Sequence, residues 1–526
     1  MSQPTGRSMI LSVLLLVLLA SASCSQPETT PTTVPAPAYW PTEGWQRSTP
    51  EEQGMDSQQL AQVLADITKR EFAINTVLVA RNGYLVMEAN VWPFQPEARH
   101  MILSITKSVT SALVGMAIER GFIDNVEKPV LSFFPDRQID HRDARKESMT
   151  LEHLLTMTSG LDCEQDEYVV GEMMASNDWV QYVLDLPMVA EPGETFAYCT
   201  VNSFLLSAIL QQTTGMSAEA FAEEHLFAPL GITQAVWPSS PTGISRGGVG
   251  LGMLPHDMAK IGQLYLHRGV WDEGQIVPAA WVDASAREHV ADVPFGGYGY
   301  QWWVQKPGLL ARLGLTRFTP VFDARGYGGQ FIFVVPSHNM VVVFCGWMKG
   351  ADQIIPIELL QSAILPAAQS SAPLPSNPEG LAAVKAQISE LAGPARKSEQ
   401  ILTLPPMAAD ISGKTYRLQG SRYNFNSFSL QFREDEAILQ LMMGAGDEGC
   451  TVGLDGDFRI TNTGGAYDVA CKGHWSDDHT FELDWTQVGA NQRHVVTFSF
   501  EDRDATVVAT SSSLGVVDRM TGTQLQ

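Results

Sequence analysis

Basic residues are scarce in this chain. Its 526 residues hold 34 Lys and Arg against 58 Asp and Glu, a formal net charge of −24. A surface that acidic repels phosphate backbones, so nucleic acid is not an expected partner. No two histidines stand at HExxH spacing and no CxxC occurs, so there is no metal-site signature and no cofactor is expected. Long apolar runs are also missing. Met9–Ala22, "MILSVLLLVLLASA", is too short to span a bilayer comfortably. Cysteines number only six, too few for a disulfide scaffold in a chain of this length.

What is present suits a globular protein. Apolar residues make up 44% and charged residues 17%, enough for two or three domains, each with its own core. The short apolar run follows Arg7 and fits the h-region of a signal peptide, residues 1–24. Cys24 comes directly after it and resembles the lipobox cysteine of bacterial lipoproteins, a lipidation candidate. Ser21 stands where that motif usually has Leu, and the alternative is plain secretion with cleavage near Ala22. Both readings make the chain exported and extracytoplasmic, with a lipid anchor in the membrane under the first. Residues 25–45 then read as a Pro/Thr-rich tether, "PETTPTTVPAPAYWP" at Pro27–Pro41.

Helical periodicity appears at Ser57–Arg70, Leu151–Met157, Asn202–Thr214, Ala218–Phe227 and His256–His267. Val77–Ala89 reads as a hairpin turned at Asn82-Gly83. Gln330–Val335 and Met340–Phe344 read as strands. Strands at both ends with helices between them predict an α+β domain over residues 46–366. Residues 367–407 form a linker with a short helix at Glu379–Leu391. Residues 408–526 change to short alternating runs divided by Asp/Gly/Asn turns, predicting an all-β barrel or sandwich. That domain shows no reacting constellation and reads as a packing or lid module.

The chemistry begins at Leu103–Gly121, "LSITKSVTSALVGMAIERG". Val109, Ala112, Leu113, Met116 and Ala117 recur as a buried helical face, and Gly121 stops the helix. Ser104 and Lys107 share a face one turn apart. A Ser-x-x-Lys match alone is about what chance supplies, and the lysine could simply snorkel to water. Three further stretches raise its weight. They are "TLEHLLTMTSGL" (Thr150–Leu161), "PGETFAYCTVNSFLL" (Pro192–Leu206) and "ARGYGGQF" (Ala324–Phe331).

In this order and spacing the motifs resemble the class C β-lactamase-related serine hydrolases. That family includes β-lactamases, D-alanyl-D-alanine carboxypeptidases, D-aminopeptidases, esterases and nylon-oligomer hydrolases. The resemblance covers about Trp45–Leu365. "GGVGLGMLPHDMAKIGQLYLHRGVW" (Gly247–Trp271) and "YGYQWWV" (Tyr298–Val304) support it. It implies a β-lactamase/transpeptidase-like α/β sandwich, an antiparallel sheet with a helical domain. It also implies Ser104 as nucleophile, with Lys107 and Tyr198 as the acid/base pair. A serine hydroxyl needs a neighbour to take its proton, and a cation beside a phenol favours the phenolate, so either group can serve as base. The implied oxyanion donors are the amides of Ser104, at a helix N-terminus, and of Gln330, on an edge strand. Gly328 and Gly329 would let substrate approach that strand. Cys450–Cys471 and Cys163–Cys199 are the candidate disulfides, the latter pair flanking the site motifs.

Two departures bear on substrate. Penicillin-recognising members usually carry Asn two residues after the tyrosine, where this chain has Thr200. Their third motif begins with Lys, or with His in many esterase-like relatives, where this chain has Tyr327. Thr200 and Tyr327 are thus the candidate substrate-binding positions that differ. Losing both features favours a small-molecule ester or amide substrate over β-lactams. A β-lactamase or carboxypeptidase, and a non-turnover penicillin-binding, sensing or structural protein, are the alternatives. His153, Met157 and Phe204 read as core.

Overall fold

A computed structural model describes residues 34–294, 296–315, 317–394, 404–421, 425–443, 446–490, 492–511 and 517–525. The expected signal peptide, Cys24 and the start of the tether lie outside the described residues. The last part of the expected tether does not hang free. Trp40 packs against Trp271 and His267, and Trp45 donates to the His256 carbonyl. Aromatic burial outweighs the extended preference of the surrounding prolines.

Helix α1 (Ser57–Lys69) starts at Asp56, whose carboxylate accepts the Gln58 and Gln59 amides. The hairpin β1 (Ile74–Arg81) and β2 (Tyr84–Asn90) follows. Asn82 and Gly83 both take positive φ, +52° and +86°, as a type I′ turn requires. The longest helices of the region beyond are α2 (Ile105–Glu119), α3 (Thr200–Thr214) and α4 (Pro255–Leu266). The chain then returns to the sheet as β3 (Val290–Val293), β4 (Gly296–Tyr298), β5 (Trp303–Val304), β6 (Phe322–Gly326), β7 (Gln330–Val335) and β8 (Met340–Gly346).

These eight strands form one sheet in the order β2-β1-β8-β7-β6-β5-β4-β3, pairing the two ends of the domain side by side. Period-two alternation divides its central strands between two cores. Leu78, Ile332, Val334, Val341 and Val343 face the helical domain. Val79, Phe331, Phe333, Val342 and Phe344 face α1 and α5 (Pro378–Ala392). The expected linker helix is therefore part of the outer layer of the first domain. Its neighbour Trp92 donates a backbone bond to Leu391.

The C-terminal domain is a closed barrel. Its strands are β9 (Thr415–Gln419), β10 (Phe425–Phe432), β11 (Glu436–Met443), β12 (Gly446–Gly453), β13 (Val469–Trp475), β14 (Thr480–Gln487), β15 (Gln492–Glu501), β16 (Asp504–Ser511) and β17 (Val517–Gln524). Antiparallel pairs run around it, and a parallel pairing of Val452 with Cys471 closes it. Cys450 and Cys471 are disulfide-bonded across that seam, and the short strand Arg459–Thr461 pairs alongside it with β13.

Candidate active site

Ser104 stands at the entry to α2 as its N-cap, after Leu103 has turned the backbone through a positive φ of +49°. A branched side chain in the left-handed region is uncommon. It brings Ser104 and the first amides of α2 together where helix N-termini favour negative charge. The rest of the helix is buried although it carries several hydroxyls. Ser108, Thr110 and Ser111 donate to the carbonyls of Gln301, Gly247 and Tyr300, which satisfies them inside the core.

Lys107 is 1% exposed. Its Nζ lies 3.0 Å from Ser104 Oγ and 2.8 Å from the Gly248 carbonyl, and 4.9 Å from the centre of the Tyr198 ring. The three expected catalytic side chains therefore meet at one nitrogen. Gly248 explains part of the value of the glycine-rich segment that begins at Gly247. A Cβ at Gly248 would stand 2.6 Å from the Thr200 carbonyl, so only glycine lets this strip lie against α3 and present its carbonyl to Lys107.

Tyr198 sits on the turn into α3, and that turn is fixed on several sides. Ala197 N donates to Met157 O, Gly193 N donates to Thr158 O, and Cys199 is disulfide-bonded to Cys163. The Ser159–Gly160 loop and the tyrosine turn are thus tied to each other. Trp303 stacks on the Tyr198 ring at 6.0 Å, and the Arg325 guanidinium covers Trp303 at 4.8 Å. Nearby Tyr298 is fully buried. Burial, followed by the proximity of Tyr198, pushes its phenol well above the ordinary range. His153 is structural. Its ring accepts from Thr150 N in a capping box, and burial lowers its pKa.

Among the remaining expected site residues one premise, the edge position of Gln330, is corrected. Thr200 is buried, and its amide and hydroxyl both donate to Asp166, each at 2.6 Å. Its proton is spent on a helix cap, so it is a positioning group rather than a substrate contact. Gln330 does not begin an edge strand, because β7 lies between β6 and β8. It pairs with Gly326, and its side chain donates to the Gly346 carbonyl. The residue is committed to the sheet, which leaves the oxyanion role expected of its amide without support. Gly328 and Gly329 have φ of +78° and +88°, and Cβ atoms there would collide with Trp347 and Met348. Their own turn requires them, independently of substrate. Tyr327, by contrast, is 46% exposed and edge-on to Trp347 at 5.6 Å. The strand nearest the nucleophile is β6: a Cβ on Gly326 would lie 2.5 Å from the Ile102 carbonyl.

Asp166, Gly248, Trp303 and Arg325 were not singled out by sequence. Gly248 and Trp303 fall within motifs already quoted for the family. Asp166 carries no local signal, since its partner is 34 residues away. Among the described residues no cluster of His, Cys, Asp and Glu is arranged to hold a metal.

Comparison with known proteins agrees with this geometry. The β-lactamase family model matches residues 51–345. The 6-aminohexanoate-dimer hydrolase of Paenarthrobacter ureafaciens is 26% identical over 326 residues, 56% of this chain and 79% of that protein. The monacolin J acid methylbutanoyltransferase of Aspergillus terreus is 30% identical over 159 residues, 27% of this chain and 38% of that protein. A solved structure of a protein proposed to be a 6-aminohexanoate-dimer hydrolase, from Bacillus anthracis, superposes with a TM-score of 0.52 at 20% identity. It covers 66% of this chain and 92% of its own, a likeness of fold. The Ser104–Lys107–Tyr198 cluster lies inside the matched segment, and the chain belongs to the β-lactamase family of serine hydrolases.

Proposed function

We propose that this chain hydrolyses a carboxylic ester or amide through an acyl-enzyme on Ser104. The observation that carries the proposal is the meeting of Ser104 Oγ, Lys107 Nζ and the Tyr198 ring around one buried nitrogen. As an amine, Lys107 keeps one N–H on the Gly248 carbonyl and turns its lone pair to the serine proton. As an ammonium, it stabilises the Tyr198 phenolate, which then takes that proton. Ser104 Oγ attacks the carbonyl carbon. The C–O or C–N bond breaks as the protonated base returns its proton to the leaving alcohol or amine. Water repeats the sequence on the acyl-enzyme and releases the acid. The amide of Ser104 and the C-terminal end of β6 at Gly326, which lies against the Ile102 carbonyl, are the proposed donors to the oxyanion.

β-Lactams fit less well. Thr200 is occupied by Asp166, and Tyr327 stands where penicillin-recognising relatives carry a cation for the carboxylate. The test is turnover of p-nitrophenyl acetate by the purified chain, with Ser104→Ala as control and a chromogenic cephalosporin alongside. Ester turnover lost in the control, with little cephalosporin cleavage, is expected. Equal activity in the control, or cephalosporin as the better substrate, would overturn the proposal. We also propose export. Mass spectrometry of the mature N-terminus tests it, with lipidated Cys24 or cleavage near Ala22 expected and an intact leader contradicting it.

A further inference from the structure

One end of the C-terminal barrel is hollow, while Phe432, Trp475, Phe481 and Phe500 pack against one another in the rest of its interior. A small barrel that only packs against its neighbour is filled by its own side chains. This one encloses a cavity of about 440 Å³, within the range of small-molecule sites. Its walls are apolar except for Glu448, Gln492, His494 and Ser511. Leu439, Leu441, Phe428 and Phe498 are among the side chains that line it.

Two lining residues do not belong to the barrel. Leu103 directly precedes the nucleophile, and Trp347 packs on Tyr327. The cavity wall therefore extends from the barrel interior to the residue before the nucleophile, although Ser104 itself is not part of the wall. The domains are held together at this junction. Met101 N donates to the Gly489 carbonyl at 2.7 Å, and Gly489 packs so closely on Arg99 that no Cβ could be added there. Beside it, the Tyr467 hydroxyl lies against Gly252, the strand partner of Met101, where a Cβ would stand 2.6 Å from it.

We infer that the barrel lumen is the acyl-chain pocket of the active site, so that the substrates are esters or amides of medium- to long-chain aliphatic acids. This rests on the acyl-enzyme reading above and names the substrate class it serves. The lumen is assigned to the acyl half because the acyl group is the part bonded to Ser104, one residue from Leu103. The leaving group departs toward Lys107 and Tyr198, and neither they nor Trp303 line the cavity. An apolar cavity of this size gains its occupant through hydrocarbon burial.

The experiment uses the full mature chain and p-nitrophenyl esters from acetyl to dodecanoyl, each below its micellar concentration. At about 0.8 kcal/mol per buried methylene, kcat/KM should rise about fourfold per added carbon until the lumen is filled. Acetate esters of lengthening alcohols should show no such rise. Ala509 also lines the lumen, and Ala509→Phe and Leu441→Trp, two independent ways of filling it, should abolish the rise. A preference for acetyl, a rise in the alcohol series instead, or equal losses on short and long esters would overturn the assignment. If no ester is turned over, the hydrolase proposal fails and the lumen is judged separately, by displacement of 1-anilinonaphthalene-8-sulfonate with dodecanoate. Displacement lost in Ala509→Phe supports the pocket, and absence of dodecanoate binding to the parent chain refutes it.

Discussion

Replacing Lys107 with methionine removes a buried nitrogen while keeping most of the side chain's volume. The nitrogen gives up its bonds to Ser104 Oγ at 3.0 Å and Gly248 O at 2.8 Å. Each is worth about 1.5–3 kcal/mol when one partner is charged. Against that loss stands the cost of burying an ammonium, several kcal/mol. The two largely cancel, so the variant should melt within about 3 °C of the parent. Catalysis has no such offset. Proton transfer by a positioned group is worth about 10²–10⁴-fold, and kcat on p-nitrophenyl acetate should fall by that factor with KM little changed. Steady-state kinetics and thermal melts followed by circular dichroism read the two quantities separately. A variant that keeps more than a tenth of the parent kcat would refute the proton-transfer role. A fall in Tm of more than about 10 °C would refute the cancellation.

Tyr198→Phe keeps the ring on Trp303 and removes only the hydroxyl. It should lower kcat by about 10²-fold or more without changing the melt, and wild-type turnover would exclude Tyr198 from the reaction. Asp166→Ala removes the carboxylate that accepts both Thr200 bonds at the start of α3. About 1–2 kcal/mol of stability should go with this cap, together with part of kcat, because Tyr198 is two residues away. Asp166→Asn should recover most of the stability, and an unchanged melt in the alanine variant would contradict the cap. His100 and His267 are held neutral by burial, their pKa values lowered to about 4, whereas unfolded histidine titrates near 6.5. Below about pH 6.5 the unfolded chain binds protons that the folded chain does not. Stability should therefore fall as pH drops from about 6.5 to about 4, by up to about 1.4 kcal/mol per pH unit for each histidine. His100→Phe should flatten that slope in pH-dependent melts, and an unaltered slope would count against it.

The parts of the site that were legible in sequence are those encoded locally. Ser104 and Lys107 are one helical turn apart, so the spacing that defines the motif also defines the geometry. Tyr198 lies on a turn marked by Pro192-Gly193 and followed by an apolar helix. The β1–β2 turn and the two central strands were legible for the same reason. The strand count on the far side of the sheet was not: β3 to β6 are two to five residues long, too short for alternation to register. That omission made β7 look like an edge, whereas the oxyanion role of Gln330 came from the family resemblance alone. Barrel closure was hidden as well. β12, "GDEGCTVG", lacks clean alternation and pairs with β13 in parallel across a sequence gap. The hollow end of the barrel, and the arrival of Leu103 and Trp347 at its wall, arise from contacts between distant segments that no local pattern records.

The central claim is a covalent acyl group on Ser104. The most direct measurement is peptide mapping by mass spectrometry after the chain has been quenched in acid during turnover of p-nitrophenyl dodecanoate. The account predicts a dodecanoyl adduct on the peptide that carries Ser104, absent from Ser104→Ala and longer-lived in Tyr198→Phe. Turnover of the ester with no adduct on that peptide, or an adduct that persists in Ser104→Ala, would contradict it.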